Sequence, residues 1–89
     1  MECWLMKVYG RVQGVGFRYF TQTEALTLNI NGWAKNEDDG TVTVYAIGTA
    51  SSLEAFLTKV ETGPPFAKVK KVTVNKQEEW TNPSTFQIR

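Results

Sequence analysis

Apolar side chains occupy every second position of the first segment of the chain, at Trp4, Met6 and Val8. Side chains that recur with a period of two lie on one face of a β-strand. The pattern predicts a strand over about residues 3–10. Its core face carries those three side chains, because Lys7 falls on the opposite face.

A segment without glycine or proline, about residues 19–29, predicts the first helix. Four residues recur at helical spacing along one side of it: Phe17, Thr21, Ala25 and Leu28. Such a stripe faces the core, and the small Ala25 lets the helix approach a sheet closely. Asn29 and the pair Asn31-Gly32 end the helix, since these residues tolerate left-handed backbone.

Residues 33–36 and 41–47 predict a second and a third strand. The later segment alternates in period two and is rich in valine and threonine, which is typical of a strand. Asp39-Gly40 lies between the two segments and predicts an antiparallel hairpin. The carboxylates of residues 37–39 could form a metal loop, but three in one short turn give no closed ligand set. We therefore interpret them as a solvated turn.

Ser51 with Glu54 three residues later predicts a capping box at the start of a second helix. The apolar face of this helix follows at i, i+3, i+4 and i+7: Leu53, Phe56, Leu57 and Val60. Gly63 and the prolines after it end the helix. Because the stripe is continuous and uninterrupted by polar groups, we interpret it as core.

Val69, Val72 and Val74 predict a fourth strand. Strict alternation fails between Val69 and Val72, so we expect a β-bulge there or a late strand start. The lysines around these valines are interpreted as a solvated face. Residues 77–84 are polar and turn-like, and residues 85–88 predict a short last strand.

The element order is therefore β-α-β-β-α-β with a short additional C-terminal strand. This order predicts an α+β fold of the ferredoxin-like α/β sandwich class, with an antiparallel sheet. The right-handed crossover rule places both helices on one face of that sheet. The length of 89 residues fits one domain over residues 1–89.

Composition excludes several kinds of chemistry. The chain has no histidine, and Cys3 is its only cysteine, so imidazole catalysis, an internal disulfide and a zinc cluster are excluded. A net charge of +1 gives no broad field to attract nucleic acid or a membrane. The chain shows neither an apolar run of membrane-spanning length nor a signal peptide, so we expect a cytoplasmic location.

The sequence Gly10-Arg-Val-Gln-Gly-Val-Gly-Phe-Arg18 joins the first strand to the first helix. A strand followed by a glycine-rich turn and a helix start gathers free N–H groups, which bind anions. Arg18 follows the last glycine, where its planar guanidinium could hold a phosphate. Without further information, the same residues could also form a simple tight turn with a surface arginine.

Two motifs resemble the signatures of the acylphosphatase family. The first, VxGxVQGVxFR, runs unbroken from Val8 to Arg18. The second is a glycine, an aromatic, a small and a basic residue and Asn, followed by GxV and a later glycine. It is matched by Gly32, Trp33, Ala34, Lys35, Asn36, Gly40, Val42 and Gly48.

The resemblance implies hydrolysis of the carboxyl–phosphate anhydride of acyl phosphates. We expect this reaction to need no metal or other cofactor, because the chain lacks histidine and paired cysteines and its acidic cluster is confined to one hairpin turn. The resemblance also implies that Arg18 binds phosphate and that Asn36 orients the attacking water. The implied phosphate-binding loop consists of Gln13, Gly14, Val15, Gly16, Phe17 and Arg18. The expected partners are a small acyl phosphate and phosphate, not nucleic acid or a membrane, and the protein is expected to be a monomer.

Two other classes of function remain open from the sequence. A non-catalytic anion-binding or regulatory module of the same fold would keep the loop but show no turnover. An RNA-recognition domain shares the sandwich, and Tyr9, Trp33 and Tyr45 could supply its exposed aromatics. The balanced charge and the missing ribonucleoprotein motifs argue against that class.

Overall fold

A computed structural model describes all 89 residues of the chain. They form five strands and two helices in the predicted order. The elements are β1 (Glu2–Arg11), α1 (Phe17–Thr27), β2 (Asn31–Asn36), β3 (Val42–Gly48), α2 (Ala50–Thr62), β4 (Lys68–Gln77) and β5 (Phe86–Ile88). Neither helix is long and apolar enough to cross a membrane.

The strands form one sheet in the order β4-β1-β3-β2-β5. The first four pair antiparallel, whereas β5 runs parallel to β2, so the sheet is mixed. Because β4 and β5 occupy opposite edges, the chain between them crosses from one edge of the sheet to the other. Two helices packed on this sheet confirm the predicted ferredoxin-like class.

The hydrophobic core lies between the sheet and the two helices. The predicted core face of β1 is buried, and its side chains meet apolar residues of β3, α1 and α2: Val42, Val44, Phe17, Ala25, Leu53, Phe56 and Val60. Leu28 and Leu57 are partly buried against this cluster. On the opposite face Cys3 is also buried, and burial raises the pKa of its thiol.

The predicted cap of the second helix is wrong. Helix α2 begins at Ala50, and its N-cap is Thr49, whose Oγ1 accepts a hydrogen bond from the Ser52 N–H at 3.2 Å. Ser51 therefore lies inside the first turn, and Glu54 is too far along the helix to complete a capping box. Because β3 ends at Gly48, only Thr49 is left in extended conformation to make the turn into the helix.

The expected irregularity in β4 is present. Tyr9 pairs with Lys71, but the next residue, Gly10, pairs with Val69, which leaves Lys70 as the extra residue of a bulge. A bulge bends the strand and increases its local twist. It lies at the end of the β1–β4 pair that leads into the glycine-rich loop.

Truncation of Phe56 tests whether the apolar face of α2 forms the core. Its ring is fully buried and meets the ring of Phe86 edge-on, with centroids 6.1 Å apart. We expect Phe56→Ala to lower the free energy of unfolding by about 3–5 kcal/mol. Leu26→Ala, on an exposed position of α1, is the control and should cost far less. Equal losses of unfolding free energy in the two variants, measured by urea denaturation, would contradict this assignment of the core.

Candidate active site

One cleft opens on the surface, where the loop before α1 meets the ends of β2 and β5. Its volume is about 160 Å³, and its lining residues are Val12, Gly14, Gly16, Phe17, Arg18, Tyr19, Asn36 and Ile88. Arg18 and Asn36 lie on different elements and are far apart in sequence, yet both line this cleft. Val12 and Phe17 are buried apolar residues beneath it, whereas Tyr19 and Ile88 are exposed apolar residues.

The backbone of the glycine-rich loop presents unpaired donors to the cleft. Gly14 and Gly16 have φ angles of 72° and 77°, a left-handed conformation that favours glycine. Helix α1 makes its first backbone hydrogen bond from the Phe20 N–H to the Gly16 carbonyl, and no N–H of residues 14–19 donates to a backbone acceptor. These N–H groups lie at the positive end of the helix dipole, so the loop is suited to an anion.

Arg18 is held from one side by the C-terminal segment. Its Nη1 atom donates to the backbone oxygen of Arg89 at 2.6 Å. Arg89 is itself anchored to β2, because its backbone N–H donates to Ala34 O at 2.8 Å. The Arg89 guanidinium also lies 4.8 Å from the centre of the Trp33 ring, which stacks on Tyr45. The hydrogen bond to Arg89 restrains the Arg18 guanidinium at the cleft. The other N–H groups of the guanidinium remain available for a ligand.

Asn36 is the last residue of β2, and its Oδ1 atom is buried without a hydrogen-bond partner. Buried polar atoms in folded proteins are nearly always paired, so an orphaned acceptor calls for an explanation. The Asn36 side chain lines the cleft, where its amide group could hydrogen-bond a bound water. An amide oxygen accepts a hydrogen bond but does not take up a proton near neutral pH.

Two side chains of the predicted phosphate-binding loop point elsewhere. Gln13 donates from Nε2 to Glu37 O at 2.8 Å and to Thr41 O at 3.0 Å, so its amide faces the β2–β3 hairpin. Val15 packs against the core and does not line the cleft. The spacing of the motif identifies the loop but does not indicate the direction of these side chains.

Two exposed residues of the cleft were missed by the sequence analysis. Tyr19 follows Arg18 directly, and its position at the start of α1 was the available signal. No sequence pattern indicates a role for Ile88. Its place in the cleft depends on the pairing of β5 with β2, which brings Ile88 opposite Ala34.

The carboxylates of the hairpin turn have partners within the protein. Asp39 Oδ2 lies 3.0 Å from Lys7 Nζ, and Asp39 Oδ1 accepts from Thr41 Oγ1 at 2.6 Å. Glu37 Oε2 accepts from Thr43 Oγ1 at 2.6 Å. No three acidic or thiol side chains come together in a group that could hold a metal ion.

Comparison with known proteins assigns the family. The family model described as Acylphosphatase matches residues 4–88. An acylphosphatase of Mesorhizobium japonicum is 44% identical over 82 residues, which cover 92% of this chain and 87% of the relative. One of Bacillus licheniformis is 48% identical over 81 residues, 91% of this chain and 90% of the relative.

A solved structure gives the same result. The crystal structure of acylphosphatase from Bacillus subtilis superposes with a TM-score of 0.96 at 42% identity, and covers 100% of this chain and 99% of that one. By fold and sequence the protein is a hydrolase acting on acid anhydrides. The chain belongs to the acylphosphatase family.

The hairpin turn that follows Asn36 contains a carboxyl group with an unusually low pKa, that of Asp39. The hydrogen bond from Thr41 Oγ1, followed by that from Lys7, lowers the pKa of Asp39 to about 2. We expect Thr41→Val and Lys7→Met each to raise this pKa toward the ordinary value of 3.8, because each removes a hydrogen bond to the carboxylate. Because the folded-state pKa is depressed, the ionised carboxylate stabilises the hairpin above the ordinary pKa, and this contribution is lost as the pH falls through about 2.

The measurement is an NMR titration of the Asp39 carboxyl carbon in the wild type and both variants. An ordinary pKa in the wild type, or an unchanged pKa in both variants, would contradict the account of this turn.

Proposed function

We propose that the protein hydrolyses the carboxyl–phosphate anhydride of acyl phosphates to a carboxylate and inorganic phosphate, without a metal ion. The observation that carries the proposal is the set of chemical groups that line one cleft. It combines the free N–H groups of residues 14–19, the Arg18 guanidinium and the amide side chain of Asn36. The first two suit a phosphate group, and the third suits a water molecule beside it.

In this proposal the phosphate group of the substrate binds on the loop. Backbone N–H groups donate to its oxygens, and the dipole of α1 favours its negative charge. Arg18, whose guanidinium is restrained by the backbone oxygen of Arg89, adds a charge-assisted hydrogen bond from the side. Donors fixed in this way need little reorganisation as charge develops during the reaction.

Asn36 holds the nucleophile in this mechanism. The amide of Asn36 hydrogen-bonds a water molecule, and the water oxygen attacks phosphorus as the bond to the carboxylate oxygen breaks. The carboxylate leaves with the electron pair of that bond. The water proton passes to a phosphate oxygen, since the amide of Asn36 cannot take it.

The chemistry asks little of the protein beyond positioning and charge stabilisation. Enzymes accelerate phosphoryl transfer mainly by positioning and charge stabilisation, and they need little covalent chemistry of their own. An acyl phosphate is already activated, because its leaving group is a carboxylate. A site without histidine can therefore be sufficient for this substrate.

Phosphate release from acetyl phosphate or benzoyl phosphate by the purified protein, with a chelator present, tests the proposal. We expect turnover that the chelator does not change. Phosphate binding without turnover would instead indicate a non-catalytic anion-binding module. A small acyl phosphate as partner, a monomeric state and a cytoplasmic location remain predictions.

Replacement of Arg18 tests the role of its planar fork. Arg18→Gln removes both charge and fork and should abolish phosphate binding and turnover together. Arg18→Lys should also lower kcat/KM, on the order of 10²-fold or more, because a point charge cannot reproduce bidentate contact. Arg11→Lys is the control, since Arg11 is exposed and does not line the cleft. Near-normal activity of Arg18→Lys would refute the importance of guanidinium geometry.

Replacement of Asn36 separates catalysis from binding. Asn36→Ala should lower kcat on the order of 10²–10³-fold, because the lost contact to water acts mainly in the transition state. Competitive inhibition by inorganic phosphate should stay nearly unchanged. Asn31→Ala, on the same strand but away from the cleft, is the control. Folded Asn36→Ala protein with normal kcat would remove Asn36 from the mechanism.

A further inference from the structure

The side chain of Gln13 connects two elements that form opposite parts of the cleft. Gln13 belongs to the glycine-rich loop, yet its Nε2 atom donates to two backbone carbonyls of the hairpin, Glu37 O and Thr41 O. Glu37 follows Asn36 directly, and Thr41 directly precedes β3. The two carbonyls are therefore on the two arms at the base of the β2–β3 hairpin.

Both carbonyls are also used by the hairpin itself. The Glu37 N–H donates to Thr41 O at 2.9 Å, and the Gly40 N–H donates to Glu37 O at 3.2 Å. Each carbonyl oxygen has two lone pairs, so each can accept the additional hydrogen bond from Gln13. The amide of Gln13 thus uses both of its N–H donors on one rigid, closed turn. The hairpin base cannot shift relative to the loop without loss of these bonds.

This link matters because the proposed reaction needs both elements at once. The free N–H groups that suit phosphate are on the loop and α1, whereas Asn36 is on β2. A water held by Asn36 reaches phosphorus productively only if the two parts keep a fixed distance, with reacting atoms about 3–3.5 Å apart. Phosphate binding alone depends on the loop and not on this distance.

We propose that Gln13 is a positioning residue that fixes the phosphate-binding loop relative to Asn36 and so sets the geometry of attack. The inference rests on the proposed function. Gln13 acts through the hairpin and does not touch the substrate, since its side chain is turned away from the cleft.

Gln13→Met provides the first test, because methionine has similar length and no donor. We expect kcat to fall about 10–100-fold, the scale of a misplacement near 1 Å, while the inhibition constant of inorganic phosphate changes about twofold or less. Gln77→Met is the matched control. It also removes a hydrogen bond from a glutamine side chain to a backbone carbonyl, but at the end of β4 that pairs with Cys3, away from the loop.

A double-mutant cycle with Asn36→Ala gives the second test. If Gln13 acts only by positioning Asn36, Gln13→Met should lower kcat little further once the Asn36 side chain is absent. Independent, additive losses would overturn the inference. A parallel loss of phosphate binding in Gln13→Met would also overturn it, because Gln13 would then belong to the binding loop itself.

Gln13→Glu gives a third test that does not depend on the folding of Gln13→Met. An ionised carboxylate would face two carbonyl oxygens and repel them, whereas a protonated one can donate a single hydrogen bond. We expect kcat of this variant to rise relative to wild type as the pH falls from about 8 to about 5. A ratio of variant kcat to wild-type kcat that stays constant across this range, or a kcat equal to that of the wild type, would overturn the inference about Gln13 but not the proposed function. Absence of turnover in the wild type would overturn the proposed function together with it.

Discussion

The site depends on a run of backbone N–H groups that the fold leaves without acceptors at the start of α1. No N–H of residues 14–19 donates to a backbone carbonyl, and the chain passes through left-handed conformations at Gly14 and Gly16. Such donors are unfavourable unless water or a ligand satisfies them. The packing of Phe17 and Ala25 against the sheet holds them in place, because it fixes the position of α1.

The remaining parts of the cleft are brought to this run by long-range pairing. Strand β2 ends at Asn36, and β5 pairs with β2 at the edge of the sheet, which places Ile88 and the backbone oxygen of Arg89 beside Arg18. Three elements therefore meet at one helix end. Hydrogen bonds from Arg18 and from Gln13 connect the helix and its loop to the other two elements. A rigid arrangement of this kind is what a mechanism based on positioning requires.

The sequence was sufficient to predict those parts of the structure that depend on a local pattern of residues. Period-two alternation in β1 and the i, i+3, i+4 stripe of α2 define which faces are buried, and the glycines of the loop indicate an anion site. Residue roles for Arg18 and Asn36 came from the resemblance to a family, because spacing alone cannot show that they share a cleft. The direction of the Gln13 side chain and the contribution of Ile88 could not be predicted, since both follow from contacts between distant segments.

The N-cap of α2 shows a different limit. Thr49 and Ser51 are both good capping residues, and the choice between them is decided by where β3 ends at Gly48. The pairing of β5 with β2 likewise depends on the chain crossing from one edge of the sheet to the other. Local preference defines which elements form, and tertiary pairing decides their bounds and partners.

Hydrolysis of acetyl phosphate in water enriched in oxygen-18 tests the central claim most directly. If a water beside Asn36 attacks phosphorus while the loop holds the phosphate, the label should appear in inorganic phosphate and the acetate should remain unlabelled. Label in acetate would show attack at the carbonyl carbon, and would contradict the account of the site.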